Sequence, residues 1–335
     1  MTQVPEQIAP QPVSKYKMPA PWLRRLPINR VSIQSKLVLM LVLCTVLAST
    51  VVGAIAYHAG RTNMRVAATN RLVEIREAQK RGLEGQISDL TNALITYTEG
   101  TTAQSALKDF TAGFDQLANA QITPEQSKAI ADYYQQFVSD TEKFSGTKLD
   151  AAALLPTSNA ERYLQYYYSS KLPTNELAIA TDDQHDGSAW SAANAKYQSF
   201  FREIVSRFAF EDALLIDGRG NIVYSTYKDV DLGSNIVTGP YRGSLLLGAY
   251  QKAMSSNKVN RAVLTDFEFY EPATMAPTAW MVAPIPPGGK AEGVMAFQFP
   301  ITKINTLMTF DKQWAKSGMG DTGETVLGGE DYLMR

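Results

Sequence analysis

Cysteine and histidine are almost missing from this chain. One cysteine, Cys44, excludes a disulfide within the chain and a cysteine-built zinc site. Two histidines, His58 and His185, leave no supply for a histidine-rich metal centre or a Ser-His-Asp triad. Charge of one sign is missing as well. Lysine and arginine total 32 against 33 acids, a net −1, whereas a general nucleic-acid binder is markedly basic. Nucleic acid is therefore not an expected partner. The phosphate-binding motifs are incomplete. Pro286-Pro287-Gly288-Gly289-Lys290 lacks the Ser/Thr and the spacing of a P-loop, and Asp217-Gly218-Arg219-Gly220-Asn221 lacks the glutamate of an EF-hand. Gly318, Gly320 and Gly323 spell G-x-G-x-x-G, but a dinucleotide fingerprint follows a strand and opens a helix. Here the glycines follow a polar segment and lead into a short strand and a turn. Asp182, Asp183, His185 and Asp186 offer oxygen ligands without the spacing of a known loop, and read as solvated. No cofactor, no metal and no catalytic site are expected.

What is present is one long apolar run. Leu37 to Ala59 reads LVLMLVLCTVLASTVVGAIAYHA, with no ionised side chain until Arg61. About 20 apolar residues cross a ~30 Å hydrocarbon core. The run exceeds the apolar stretch of a signal peptide and follows 36 residues, so an uncleaved transmembrane helix over 37–59 is expected despite the Ala54-Ile55-Ala56 cleavage-like triplet. Residues 1–36 carry Lys15, Lys17, Arg24, Arg25, Arg30 and Lys36 against Glu6 alone. That excess places the Pro-rich, disordered tail in the cytoplasm and the rest outside, in a single-pass plasma or inner membrane protein. Ser49, Gly53, Ala56 and Gly60 lie near one face and suit either ordinary lipid exposure or close packing of two spans.

Beyond the span the pattern is helical over 60–150, an extracytoplasmic stalk. Leu83, Ile87, Leu90, Leu94 and Tyr97 make one apolar stripe, which suits a helix paired with a copy of itself in a homodimer. Thr123-Pro124-Glu125-Gln126 is a capping box that opens a helix to about Phe144. Helices are expected over about Asn159 to Ser170 and Ala189 to Phe208. From Ala213 the period changes. ALLID-GRG-NIVYST reads as a hairpin, SLLLGAYQKAMSS as a helix, and AVLTDFEFY, TAWMVAPI and EGVMAFQF as three strands. Five strands with a helix between the second and third is a PAS-like order. The expected class is α+β, with an antiparallel five-stranded sheet flanked by helices.

The matching residues are SIQSKLVLMLV, LLPTSNAERYLQYYYSS, FEDALLIDGRGNIVYSTYKDVDLGSN, GPYRGS, TDFEFYEPA, APTAWMVAPI, GVMAFQFPITKINTLM and GDTGETVLGGEDYLMR, in this order over most of 32–335. On these the chain resembles the extracytoplasmic double-Cache sensor region of bacterial membrane receptors. It is most similar to those that precede HAMP and class III adenylate/guanylate cyclase domains. The resemblance implies a membrane-distal Cache domain over 151–310 and the incomplete start of a membrane-proximal module over 311–335, where the glycines open a hairpin. It implies an N-terminal fragment or truncated product of a receptor that senses a small ligand and signals by cyclic-nucleotide synthesis. A histidine kinase or chemoreceptor sensor, or a stand-alone membrane-anchored binding protein, are the alternatives. The family often has a His-x-x-Tyr-His run where this chain has Asn194, Tyr197 and Gln198, and Phe where it has Trp280.

The expected ligand site is a pocket between the sheet and the helices at 159–208. Alternation along LTDFEFY puts Asp266 and Tyr270 on one face, and Trp280 lies on the next strand. Asp266 would meet an ammonium or hydroxyl, with Trp280, Tyr270 and Tyr241 as aromatic walls and Tyr167 closing the other side. The competing reading makes the aromatics core and Asp266 a turn residue.

Overall fold

The computed structural model describes residues 32–172, 174–255, 261–286, 291–299, 301–320 and 323–329. The tail over 1–31, the turn at 287–290 and the end of the chain, where the second strand of the expected hairpin would lie, fall outside them. Two compact units divide at Arg71 and Leu72.

In the first unit, the apolar run lies in helix α1 (Ile33–Glu99), and its side chains are exposed. It is the one helix among the described residues that is long and apolar enough to cross a membrane.

The second unit begins with the C-terminal part of α1, where Leu90 and Leu94 are buried. Helices α2 (Thr101–Gln116) and α3 (Pro124–Ser145) follow. The capping box forms as the sequence predicts: Gln126 N–H donates to Thr123 Oγ1 at 3.2 Å, and Thr123 N–H to Gln126 Oε1 at 2.8 Å. Short helices α4 (Ala151–Leu154), α5 (Asn159–Leu164) and α6 (Asn175–Ala180) lead to α7 (Ala189–Phe208). From α5 the chain continues as a π-helical stretch, Gln165–Ser170, inside what the sequence reads as one helix.

The sheet is built from β1 (Asp212–Asp217), β2 (Ile222–Ser225), β3 (Val263–Leu264), β6 (Trp280–Ile285) and β7 (Gly293–Gln298). Its order is β2-β1-β7-β6-β3, and every pair is antiparallel. Helix α8 (Leu245–Ser255) stands between β2 and β3. A separate two-stranded sheet pairs β4 (Glu268–Tyr270) with β5 (Ala276–Thr278). Helix α9 (Ile301–Met308) follows the last strand. The strand order and the helices on both faces match the α+β class read from the sequence, an antiparallel five-stranded sheet flanked by helices.

Alternation divides the core. Leu215, Met281, Ala283, Met295 and Phe297 face α2 and α7, while Leu214, Ile216, Val282, Val294 and Ala296 face α8. On the first side Phe110 of α2 packs on Trp190 of α7 and on Tyr224, with ring centroids 5.3 and 4.6 Å apart. Trp190 Nε1 donates to the Val223 carbonyl at 2.8 Å, which removes the cost of burying the indole N–H. The apolar side of α2, within the stretch 60–150, belongs to the core of the sheet domain.

Candidate functional site

AVLTDFEFY does not form one strand. β3 ends at Leu264 and pairs with β6, whereas β4 starts at Glu268 and pairs with β5. Thr265 to Phe267 lie between them without strand geometry, so the parity that linked Asp266 to Tyr270 does not hold. Asp266 is exposed, and its Oδ1 accepts from Phe267 N–H at 2.8 Å. Tyr167 is half-buried and packs on Tyr163, centroids 4.5 Å apart, with the Lys171 ammonium 4.5 Å from its ring centroid. The other three expected residues do meet. Tyr270 stands edge-on to Trp280 at 5.2 Å and lies 6.2 Å from Tyr241, and all three are buried.

The helices expected to face this group are only partly those that do. Trp280 lies on the α8 side of the sheet, with Val282 and Ala296, so α7 is on the opposite face. Tyr241 joins Tyr134 of α3 and Val230, with Tyr166 packed alongside.

The carboxylate beside Tyr270 is Asp231. The Tyr270 hydroxyl donates to Asp231 Oδ2 at 2.9 Å, and Asp231 is 2% exposed. Its Oδ1 is buried without a partner, as are Trp280 Nε1 and Ser244 Oγ. Burial, with the Asp212 charge second, pushes the Asp231 carboxyl up to about 7. Burial, then the Asp231 charge, pushes Tyr270 well above its ordinary range, so it stays a neutral donor. A cavity of about 210 Å³ opens beside these residues, lined by Tyr241, Ser244, Glu268, Phe269, Tyr270 and Glu271 with Pro240 and Gly243. Glu268 Oε1 accepts from Leu245 N–H, at the start of α8, at 2.7 Å.

A larger groove of about 660 Å³ runs between Leu90, Phe208, Lys303, Leu307 and Phe310. Around it Lys303 Nζ already donates to the Phe208 carbonyl. The smaller cavity has the better chemistry for recognition, because Ser244 Oγ in its wall is unpartnered and Tyr270, also in its wall, contacts Asp231 and Trp280, each with an unpartnered buried atom.

Sequence reasoning missed Asp231. It sits in KDVDLGSN, a charged stretch after a strand, and nothing local in it signals burial. Its burial comes from residues far along the chain. Gln165 Nε2 donates to the Asp229 and Leu232 carbonyls at 3.0 and 2.9 Å, and the Tyr134 hydroxyl to the Val230 carbonyl at 3.0 Å. The 182–186 loop is internally satisfied in part. Asp183 and Asp186 accept from His185 N–H and Ser188 N–H, and Arg202 pairs with Asp182 at 3.0 Å.

No family model matches the chain, and no curated protein matches it. Among solved structures it is similar to the sensor domain of the V. cholerae histidine kinase DctB, at 13% identity and a TM-score of 0.28, covering 54% of this chain and 60% of that one. It is similar to the ligand-binding domain of the Pseudomonas fluorescens chemoreceptor CtaA in complex with L-serine, at 16% identity and a TM-score of 0.28, covering 62% and 66%. The sensory domain of the Campylobacter jejuni chemoreceptor Tlp3 shares 16% identity with a TM-score of 0.27, covering 72% and 74%. The chain thus spans less than two thirds of the first two.

Proposed function

We propose that this chain is the sensor part of a membrane receptor and binds a small ligand beside Tyr241, Tyr270 and Trp280, with Asp231 as its polar anchor. The observation that carries the reading is a cavity whose wall holds Tyr270 and the unpartnered Ser244 Oγ, with the buried, unpartnered Asp231 Oδ1 and Trp280 Nε1 on residues directly behind Tyr270. Each unpartnered atom costs free energy while unmet, so a ligand with complementary groups recovers it on binding. An ammonium or hydroxyl suits Asp231 Oδ1, and an acceptor oxygen suits the Trp280 indole. Asp266 is replaced as the anchor because its carboxylate is exposed and bonded to its own backbone neighbour.

The apolar run of α1 is the membrane anchor in this reading, with the basic tail cytoplasmic and the sheet domain outside. Occupancy of the site shifts a two-state helix arrangement that the span relays inward. The sequence resemblance implies an adenylate or guanylate cyclase output. Histidine kinase and chemoreceptor outputs belong to the same reading, and a cyclic-nucleotide assay of the full receptor separates them.

The test is a thermal-shift screen of the whole chain in detergent against amino acids, amines, carboxylates and purines. A binder raises Tm by mass action. Asp231→Asn is expected to weaken an amine-bearing binder about tenfold or more, the worth of a charge-assisted contact. A binder whose affinity is the same in folded Asp231→Asn and Trp280→Phe variants removes this site.

A further inference from the structure

The cavity beside Tyr270 carries charge of one sign only. Glu268 and Glu271 line it, and among the described residues no lysine, arginine or histidine does. Both acids belong to the ribbon of β4 and β5. Glu268 opens β4, and Glu271 starts a short 3-10 turn, Glu271–Ala273, at its far end. Thr274 and Met275 then reverse the chain with φ of +52° and +63°, a conformation that side-chain-bearing residues keep only where their surroundings hold it. Met275 N–H donates to the Tyr270 carbonyl at 3.0 Å, and Ala276 pairs with Tyr270. The two carboxylates therefore sit on a paired ribbon with a closed turn.

Neither carboxylate is neutralised. Glu268 spends Oε1 on Leu245 N–H, which leaves Oε2. Among the described residues no ion pair or hydrogen bond reaches that oxygen or the Glu271 side chain. Basic side chains of the same domain are engaged with other oxygens. Arg242 Nη1 donates to the Gly239 carbonyl at 3.2 Å, Arg162 Nε to the Pro156 carbonyl at 3.1 Å, and Lys228 Nζ to Gln198 Oε1 of α7 at 2.5 Å. Burial raises both glutamate carboxyls, against which the Leu245 bond lowers Glu268. Tyr241, across the cavity, feels the charges of Asp231, Glu161 and Glu271 together. A cation is what this wall lacks.

The rest of the lining suits a short hydrocarbon chain. Phe269 is 69% exposed, and with Tyr241 and Pro240 it offers apolar surface that methylenes would cover. Aromatic faces also attract an ammonium. Ser244 Oγ, without a partner, can accept from an N–H. The volume of about 210 Å³ is that of about seven waters at about 30 Å³ each, enough for a few methylenes with a polar group at each end.

We propose that the ligand is a short alkyl diamine without a carboxylate, and that Glu268 and Glu271 select it. This rests on the site proposed above. One ammonium sits between Glu268 Oε2 and Glu271, and the methylenes lie on Phe269 and Tyr241. The other ammonium faces Ser244 Oγ and the Asp231 anchor behind Tyr270. An amino acid of the same length brings an anion to a wall with two acids and no base, so repulsion adds to the lost contact.

The test is isothermal titration calorimetry of the whole chain in detergent, at one neutral pH and one ionic strength. The probes are α,ω-diaminoalkanes of two to five carbons, 1-aminobutane and 4-aminobutanoate. A diamine is expected to bind about tenfold or more tighter than 1-aminobutane, with 4-aminobutanoate weakest. Glu271→Gln and Glu268→Gln keep the shape, and the second keeps an acceptor for Leu245 N–H. Each should weaken the diamine about tenfold and narrow its lead over 4-aminobutanoate. Near-UV circular dichroism checks the fold, and if neither variant folds the wild-type ranking decides alone. No binding by any diamine, 4-aminobutanoate binding as tightly as the best diamine, or a diamine affinity unchanged in both folded variants overturns the proposal. Site and ligand class fail separately. A carboxylate-bearing binder that weakens in Asp231→Asn keeps the site and removes the diamine. A diamine that weakens in the glutamate variants but not in Asp231→Asn or Trp280→Phe keeps the acidic cavity and removes the Asp231 anchor.

Discussion

At the scale of single residues, the Tyr270–Asp231 contact makes two sharp expectations. Tyr270→Phe keeps the ring against Trp280 and removes one donor from a buried carboxyl. A loss of about 1–3 kcal/mol is expected, measured by chemical denaturation against wild type at one pH. The second concerns pH. The folded Asp231 carboxyl lies above its unfolded value, so its contribution is full below about pH 4 and is lost as pH rises through about 7. Lys228 is shifted downward, so its contribution is present above its unfolded value and is lost as pH falls through about 7. Tm plotted against pH should therefore dip near neutrality, and Asp231→Asn should flatten the acid side of the dip. A Tm that rises steadily from pH 5 to about 7 in wild type counts against the Asp231 assignment, and one that falls steadily from about 7 to 10 counts against that of Lys228.

At the scale of elements, α2 and α7 approach each other closely. Gly113 has no Cβ, and one built there would lie 2.7 Å from Trp190 Cα and 2.8 Å from its backbone nitrogen. Backbone cannot yield as a flexible side chain does, so Gly113→Ala forces the two helices apart. That overpacking is expected to cost about 1–3 kcal/mol and to disturb the Phe110–Trp190–Tyr224 stack. Denaturant midpoints, with near-UV circular dichroism for the aromatic stack, check it. Gly233 is bound by a different constraint. Its φ is +85° and a Cβ would lie 2.9 Å from Glu161 Cα, which ties the segment after β2 to the start of α5.

At the scale of the whole molecule, the proposed receptor reading takes its direction across the membrane from the sequence pattern. Six basic residues precede the apolar run against one acid. A reporter fused before Leu37 is expected to score as cytoplasmic, and one fused near Thr147 as extracytoplasmic. Both reporters on one side would end the single-span reading. The sheet domain itself carries helices on both faces, so the proposed ligand site lies on the α8 side while α2 and α7 cover the other.

Periodicity and local chemistry were enough for much of this chain. The apolar run, the capping box at Thr123, helix Ala189–Phe208 and the strands around β1, β2, β6 and β7 are local features. Each is set by side chains within a few residues of one another, and so it is legible in one dimension. Tyr241, Tyr270 and Trp280 were also legible as a group, because large aromatics flanking strands have few places to go but inside. What the sequence could not show is which acid joins them. Asp266 looked eligible by strand parity, but pairing of β4 with β5 instead of β6 breaks the strand before that parity acts. Asp231 was not singled out, since nothing near it in sequence buries it. Tyr134 and Gln165, 64–96 residues away from their acceptors, supply the bonds that turn a charged loop into a buried strap. Burial of a charge depends on what covers it, and that cover is assembled only when distant helices close over the sheet edge.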